Sequence, residues 1–290
     1  MYKILSQKGK IIIMEKSMLK ELSNHATNIR IGAVTAVHSA NSGHPGGSLS
    51  IAEILSYLYF AEMRVKPEDP KWEDRDRLVL SKGHCAPGLY AALAEKGFFP
   101  KEELTTFRHI DSRLQGHPDM KGTPGVDMTT GSLGLGVSAS VGMALSGKIR
   151  NKDYRVYAIL GDGEIEEGQV WEAAMAAAHY KLDNLCIFVD WNGLQIDGPT
   201  AEVMNSAPID EKFAAFGWNT LLINGNDLEE IEKAAENAKA TKGKPTAVIC
   251  KTVKGKGVSY MENSVGWHGK APNDAEYEQA MTELKAQLID

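Results

Sequence analysis

Residues 154–193 read YRVYAILGDGEIEEGQVWEAAMAAAHYKLDNLCIFVDWNG. Two apolar runs rich in Val and Ile, at 154–160 and 184–190, flank a stretch of helical character at 168–181. Neither run alternates polar and apolar residues, which predicts strands covered on both faces. Both runs end in a small acidic or amide group, Gly-Asp-Gly at 161–163 and Asp-Trp-Asn-Gly at 190–193. Strand, helix and strand in that order predict a parallel unit, and the fold class is α/β.

The same alternation extends outward. WNTLLIN (218–224) and PTAVICKTV (245–253) read as two further strands, and RDRLVL (75–80) as a short one. Helices are predicted at 17–40 with Ser17 as N-cap, across LSIAEILSYLYF (49–60), in a short segment near 101–109, after the Gly-rich turn at 131–136, at 227–242, and at the C-terminus with Asn273 or Asp274 as cap. The expectation is one doubly wound, mainly parallel sheet with helices on both faces, in a single domain over 17–290, with 1–16 as a tail. Met14 is a possible alternative start.

Composition narrows the function classes. The chain has 290 residues, a formal charge of -6 and 43% hydrophobic residues, which predicts a packed core and disfavours a nucleic-acid surface. Three dispersed cysteines, Cys85, Cys186 and Cys250, form neither a metal-ligand spacing nor a disulfide framework. No apolar run reaches membrane-span length and the N-terminus lacks a signal-peptide pattern, so the expected location is the cytoplasm, without a membrane partner.

In an open parallel sheet, ligands sit beyond the carboxyl ends of the strands. Asp162 and Asn192 are both expected there, a carboxylate and an amide oxygen. Mg²⁺ takes about six oxygens and commonly shares them between one or two carboxylates and ligand phosphates. Either motif alone is commonly just a turn. Together, Gly163 and Asn192 enclose residues 164 to 191, 28 positions, the length of one strand–helix–strand unit.

That spacing resembles the thiamine diphosphate fingerprint. SGHPGG (42–47), LSKGHCAPGLYAAL (80–93), GHPD (116–119), TTGSLGLGVSASVGMAL (129–145), VDWNGLQIDGPT (189–200) and the KTVKGKGV and WHGKAP segments (251–258, 267–272) resemble transketolase, in its order. The resemblance implies the diphosphate-binding domain of the thiamine diphosphate-binding fold. It implies Mg²⁺, with Ca²⁺ or Mn²⁺ as substitutes, on Asp162, Asn192 and the carbonyl of Leu194. Gly163 would contact diphosphate, as would His84, Lys254 and His268. Gly131, Ser132 and Leu133 would form the wall beside the aminopyrimidine, and Ile196 the apolar seat of the thiazolium. His44, His117 and His268 would bind donor hydroxyls and move protons while the thiazolium acts as electron sink for a two-carbon transfer. Glu167 and Glu172 would belong to a subunit-interface network, whereas Glu164 and Glu166 read as ordinary acids at a helix start.

A complete transketolase is about twice this long, with pyrimidine-binding and C-terminal domains that this sequence does not match. The resemblance therefore implies the N-terminal subunit of a split transketolase that uses phosphorylated sugars in the pentose phosphate pathway. Its partner would be a C-terminal subunit, with two copies of each chain forming a heterotetramer. A deoxyxylulose-phosphate synthase-like enzyme, a transketolase of an unusual sugar and a non-catalytic scaffold are the alternatives. A Mg²⁺-dependent nucleotide-binding protein is the generic one, against which stands the lack of a G-x-x-x-x-G-K-[ST] loop.

Overall fold

The structure is a computed structural model that describes residues 14–290. The tail expected over 1–16 therefore lies almost wholly outside the described residues. The chain runs through α1 (Lys16–Ser39), α2 (Pro45–Leu49), α3 (Ala52–Tyr57), β1 (Arg77–Leu80), α4 (Ala86–Lys96), α5 (Leu135–Ile149), β2 (Val156–Gly161), α6 (Gly168–His179) and β3 (Leu185–Trp191). A two-stranded hairpin follows, β4 (Leu194–Gln195) and β5 (Gly198–Pro199). Then come α7 (Thr200–Val203), α8 (Ile209–Ala215), β6 (Asn219–Asn224), α9 (Leu228–Ala240), β7 (Thr246–Lys251) and α10 (Asp274–Lys285). The main sheet has the order β1-β2-β3-β7-β6 and every pairing in it is parallel.

The unbroken apolar runs are covered on both sides. Tyr157 and Ile159 of β2, with Cys186 and Phe188 of β3, pack beneath α1, α3, α4 and α9. Ala158, Leu160, Ile187 and Val189 alternate onto the other face, beneath α5, α6 and α8. All six residues of β3 from Leu185 to Asp190 are buried. Each large aliphatic side chain fully buried in this way contributes about 1.5–3 kcal/mol. A third cluster, including Val34, Leu49, Val258, Trp267 and Met281, fastens the segment after β7 against α1 and α2.

Local chemistry moves several boundaries. Ser17 is not a cap: α1 starts at Lys16 behind an extended Glu15, with no side-chain cap bond. The single helix expected across 49–60 is broken at Ser50 and Ile51, because Ser50 Oγ bonds the Gly47 carbonyl at 3.0 Å and the Asp190 carboxylate at 2.6 Å. It resumes as α3 and ends in a π-turn at Leu58–Glu62. The segment near 101–109 is a 3-10 turn, Lys101–Thr106. At the C-terminus the cap is Asn273, in a capping box with Glu276.

Two glycines allow backbones to meet at the sheet's carboxyl edge. A Cβ on Gly46 would sit 2.8 Å from the Trp267 carbonyl oxygen, and one on Gly136 would sit 2.6 Å from Ser81 Cα. Backbone cannot yield as a flexible side chain does, so overpacking there costs about 1–3 kcal/mol. Gly136→Ala is expected to lower unfolding free energy in urea by about that amount, without changing the circular-dichroism spectrum of the folded protein.

Candidate active site

Parallel strands bring the segments after β1, β2, β3 and β7 to one edge. There they surround a cleft of about 500 Å³. It is lined by His44, Lys82, His84, Gly131, Leu133, Asp162, Gly163, Glu164, Glu167, Asn192, Leu194, Ile196, Lys254 and His268, among others. All of these except Lys82 and Glu164 are site residues expected from the sequence, so one cleft gathers most of that set. Ser132 is exposed beside it. His117 stands outside the lining, exposed, with its ring 3.6 Å from where a Gly131 Cβ would be. Glu172 is exposed on α6 and does not reach the cleft.

Asp162 is buried at the end of β2. Its Oδ1 accepts a hydrogen bond from Gly163 N at 3.0 Å, and its Oδ2 from Gly193 N at 2.7 Å and Thr200 Oγ1 at 3.2 Å. Asn192 Oδ1 accepts from Leu194 N at 3.1 Å, and the Leu194 carbonyl from Lys254 Nζ at 3.0 Å. Asp162 Oδ1, Asn192 Oδ1 and the Leu194 carbonyl each have one donor, leaving each a second acceptor position. Three hard oxygens with spare capacity suit Mg²⁺ or Ca²⁺ better than a soft metal. Among the described residues no cluster of three or more His, Cys, Asp or Glu forms a metal site, so amide and carbonyl oxygens must contribute to any cation site here. Burial, with the nearby Asp190, pushes the Asp162 carboxyl up to about 6.

Gly163 has an ordinary right-handed conformation, and a Cβ there would stand in ordinary contact, 3.4 Å from Gln195 Cβ, so neither backbone nor packing within the chain demands glycine. Three imidazoles form a triangle, with ring centroids of His44, His84 and His268 between 5.2 and 5.4 Å apart. His44 Nδ1 is buried without a partner, an orphaned polar atom facing the demand that buried polar groups be paired. Lys254 is 2% exposed and lies 2.9 Å from His268 Nδ1, so that nitrogen accepts and the ring is neutral. An orphaned imidazole nitrogen and a buried ammonium suit an anionic ligand, and the cleft fits the diphosphate of thiamine diphosphate on that ground.

Two further groups of the cleft, Glu164 and Lys82, carry little local sequence signal for their role. Glu164, an ordinary helix-start acid by sequence, is 3% exposed. It accepts from Ser81 Oγ at 2.5 Å, Gly134 N at 3.0 Å and Gly161 N at 3.0 Å, tying the Gly-rich turn to the ends of β1 and β2. Glu166, by contrast, is exposed and bonds Gln195. Lys82 and Asp190 form a buried ion pair at 2.5 Å under the cleft. The one available hint is the lysine of Ser-Lys-Gly-His, which ends a strand and precedes a tight turn.

A family model described as "Transketolase, thiamine diphosphate binding domain" matches residues 22–287. The 6-deoxy-6-sulfo-D-fructose transketolase subunit SqwG of Clostridium sp. (strain MSTE9) is 46% identical, over 91% of this chain and 96% of its own length. An apulose-4-phosphate transketolase subunit of Phocaeicola vulgatus is 45% identical, over 88% of this chain and 90% of its own length. The crystal structure of transketolase from Campylobacter jejuni matches with a TM-score of 0.85 at 36% identity, over 94% of this chain and 43% of that one.

Burial, aided by neighbouring charges, pushes His44 and His84 down to about 4 and His268 to about 3. Folded imidazoles with depressed pKa bind fewer protons than unfolded ones near 6.5, so their contribution to stability is complete above that pH and falls as pH drops toward 4. The thermal midpoint of the protein without added cofactor should fall across that window, and His84→Asn should flatten the slope. Histidine Cε1 resonances of these three rings should remain at their neutral positions at pH 5.5 in NMR spectra.

Proposed function

Because the chain belongs to the transketolase family, we propose that it is the diphosphate- and metal-binding subunit of a split transketolase that moves a two-carbon ketol unit from a ketose phosphate to an aldose phosphate. The observation carrying this reading is the convergence of Asp162, Asn192 and the Leu194 carbonyl with Lys254 and the imidazole triangle in one cleft. The relatives that are themselves named subunits match this chain over nearly their whole length. That supports a partner in the form of a separate C-terminal subunit; two copies of each chain, in the cytoplasm, complete the proposal.

When bound, the cofactor supplies an electron sink for cleaving the ketose carbon–carbon bond. Asp162, Asn192 and Leu194 would hold Mg²⁺, or Ca²⁺ or Mn²⁺ in its place, against the diphosphate. Lys254, His84 and His268 would donate to diphosphate oxygens, as charge-assisted or neutral hydrogen bonds. Gly163 would let the backbone approach the same group. Gly131, Ser132 and Leu133 would form one wall of the cofactor site, and Ile196 its apolar seat. The half-buried His44 and His268 and the exposed His117 all have lowered pKa values, and as neutral imidazoles they would bind donor hydroxyls and move protons there. Glu167 and Glu172, both exposed, would meet the partner subunit.

A second reading has its own support. The two subunit relatives described above are named for 6-deoxy-6-sulfo-D-fructose and apulose 4-phosphate. An unusual ketose is therefore the alternative donor, in place of xylulose 5-phosphate.

The test coexpresses this chain with a candidate C-terminal subunit, a pyrimidine-binding domain sought first in the neighbouring reading frames. The complex is assayed with Mg²⁺, thiamine diphosphate, ribose 5-phosphate and each of the three ketoses. The complex should turn over at least one ketose, and the chain alone none. Asp162→Ala should weaken Mg²⁺-dependent cofactor binding in calorimetry by at least about 100-fold. Turnover by the isolated chain rejects the split-subunit reading; unaltered cofactor binding by Asp162→Ala rejects the metal assignment.

A further inference from the structure

Asp190 lies in β3, fully buried, and has no part in the reading above. Its Oδ2 accepts hydrogen bonds from Lys82 Nζ at 2.5 Å, Ser50 Oγ at 2.6 Å and Asn192 Nδ2 at 3.0 Å, and its Oδ1 accepts one from Thr252 Oγ1. Lys82 is 2% exposed and also donates to the Gly47 carbonyl at 2.9 Å. A buried ion pair is weak evidence for stability, since apolar residues of similar volume are often as good or better. Its position directly beneath Asn192 points to another use.

The asparagine side chain ends in a donor and an acceptor of nearly the same shape. Its neighbours decide which one faces a ligand. An ionised carboxylate only accepts, so Asp190 can face only the Nδ2 end of Asn192. On the other side, Leu194 N donates to Oδ1 at 3.1 Å. Turning the amide over would set oxygen against carboxylate and NH₂ against N–H, two repulsive contacts in place of two hydrogen bonds. We propose that Asp190, anchored by Lys82, is a positioning residue that fixes the Asn192 amide so that its oxygen, and not its nitrogen, is available as the cation ligand. This inference rests on the assignment of Asp162 and Asn192 as metal ligands. The carboxylate acts through Asn192 and touches neither cofactor nor substrate.

The probe is Mn²⁺ in the presence of thiamine diphosphate, with free Mn²⁺ read by electron paramagnetic resonance in the complex of the full chain with its partner subunit. The double variant Lys82→Met/Asp190→Leu removes both charges together, so neither is left buried alone. It should bind Mn²⁺ about 10–100-fold more weakly, the usual effect of losing an outer-sphere partner, with no loss in thermal midpoint. Adding Asn192→Asp should restore binding, because a carboxylate presents an oxygen whichever way it is turned. A merely structural defect would not be rescued in this way. If the double variant is not recovered folded, Lys82→Met/Asp190→Asn takes its place, which again removes both charges while keeping a side chain of the aspartate's shape, with the same expected direction and the same rescue. Equal Mn²⁺ affinity in the charge-removed and parental complexes, or a loss that Asn192→Asp fails to restore, overturns the inference alone. A parental complex that takes up no Mn²⁺ overturns the metal assignment, and this inference with it.

Discussion

The site depends on the parallel pairing of β2 with β3, in which Gly161 stands opposite Asp190. The ladder continues one step beyond the strand, with Asp162 N donating to the Asp190 carbonyl at 3.2 Å. A slip of one residue would turn Asp162 and Asn192 to opposite faces and reverse both hydrophobic layers. The alternating burial of Val156, Ala158 and Leu160 against α5 and α6, and of Tyr157 and Ile159 against the other layer, forbids that slip. Packing several residues away therefore sets the separation between two candidate cation ligands. The layers supply that precision because each carries several fully buried side chains, at about 1.5–3 kcal/mol apiece.

Electrostatics at this edge are arranged in depth. The lowest level is the Lys82–Asp190 pair, whose charges compensate each other. Burial pulls the Lys82 ammonium down, but Asp190 outweighs it and leaves the amine above its ordinary value; Asp190 in turn is held below its own. Above that level lie Asp162 and Glu164, both with raised pKa through burial, and Lys254, with a lowered one. These three groups are short of opposite charge. A divalent cation would favour the ionised Asp162, and a diphosphate would favour the charged Lys254. Each component of a metal–diphosphate ligand thus relieves a deficit already built into the protein. The half-buried imidazoles of His44, His84 and His268 need no such relief, since desolvation already favours the neutral form.

How much of this could be read from the sequence follows from which forces are local. The strands at 154–160 and 184–190 and the helix between them are legible because unbroken apolar runs and helical spacing are local signals. The motif histidines and Asp162 are legible because Gly and Pro mark the turns that display them. The helix break at Ser50 is not, because its cause is a carboxylate 140 positions away in sequence. Glu164 escapes for the same reason. In isolation, an acid at the start of a helix is a favourable surface charge. Here Ser81 and Gly134 arrive from two other segments, and Gly161 from three residues upstream, to enclose it. Buried charges are created by long-range convergence, and period and propensity carry no trace of it.

The cleft is closed on the sheet side and open on the other. Lys82, Asp190, Glu164 and Lys254 are buried at its floor, while Gly131, Ser132, His117 and Ile196 are exposed at its rim. Ile196 is 63% exposed, and Leu135, at the start of α5, is 53% exposed. Isolated exposed aliphatics are ordinary on a protein surface, but Ile196 lines a cleft whose polar groups are deeply buried. Groups that demand precise charge placement sit where the core can hold them, whereas those proposed for an apolar ring and a sugar sit where solvent reaches. Proton transfer and carbon–carbon cleavage need water kept out. On the proposed function the floor would bind and orient, and a second surface laid over the rim would make the cleft dry, which would be a physical reason for dividing such an enzyme between two chains at this plane.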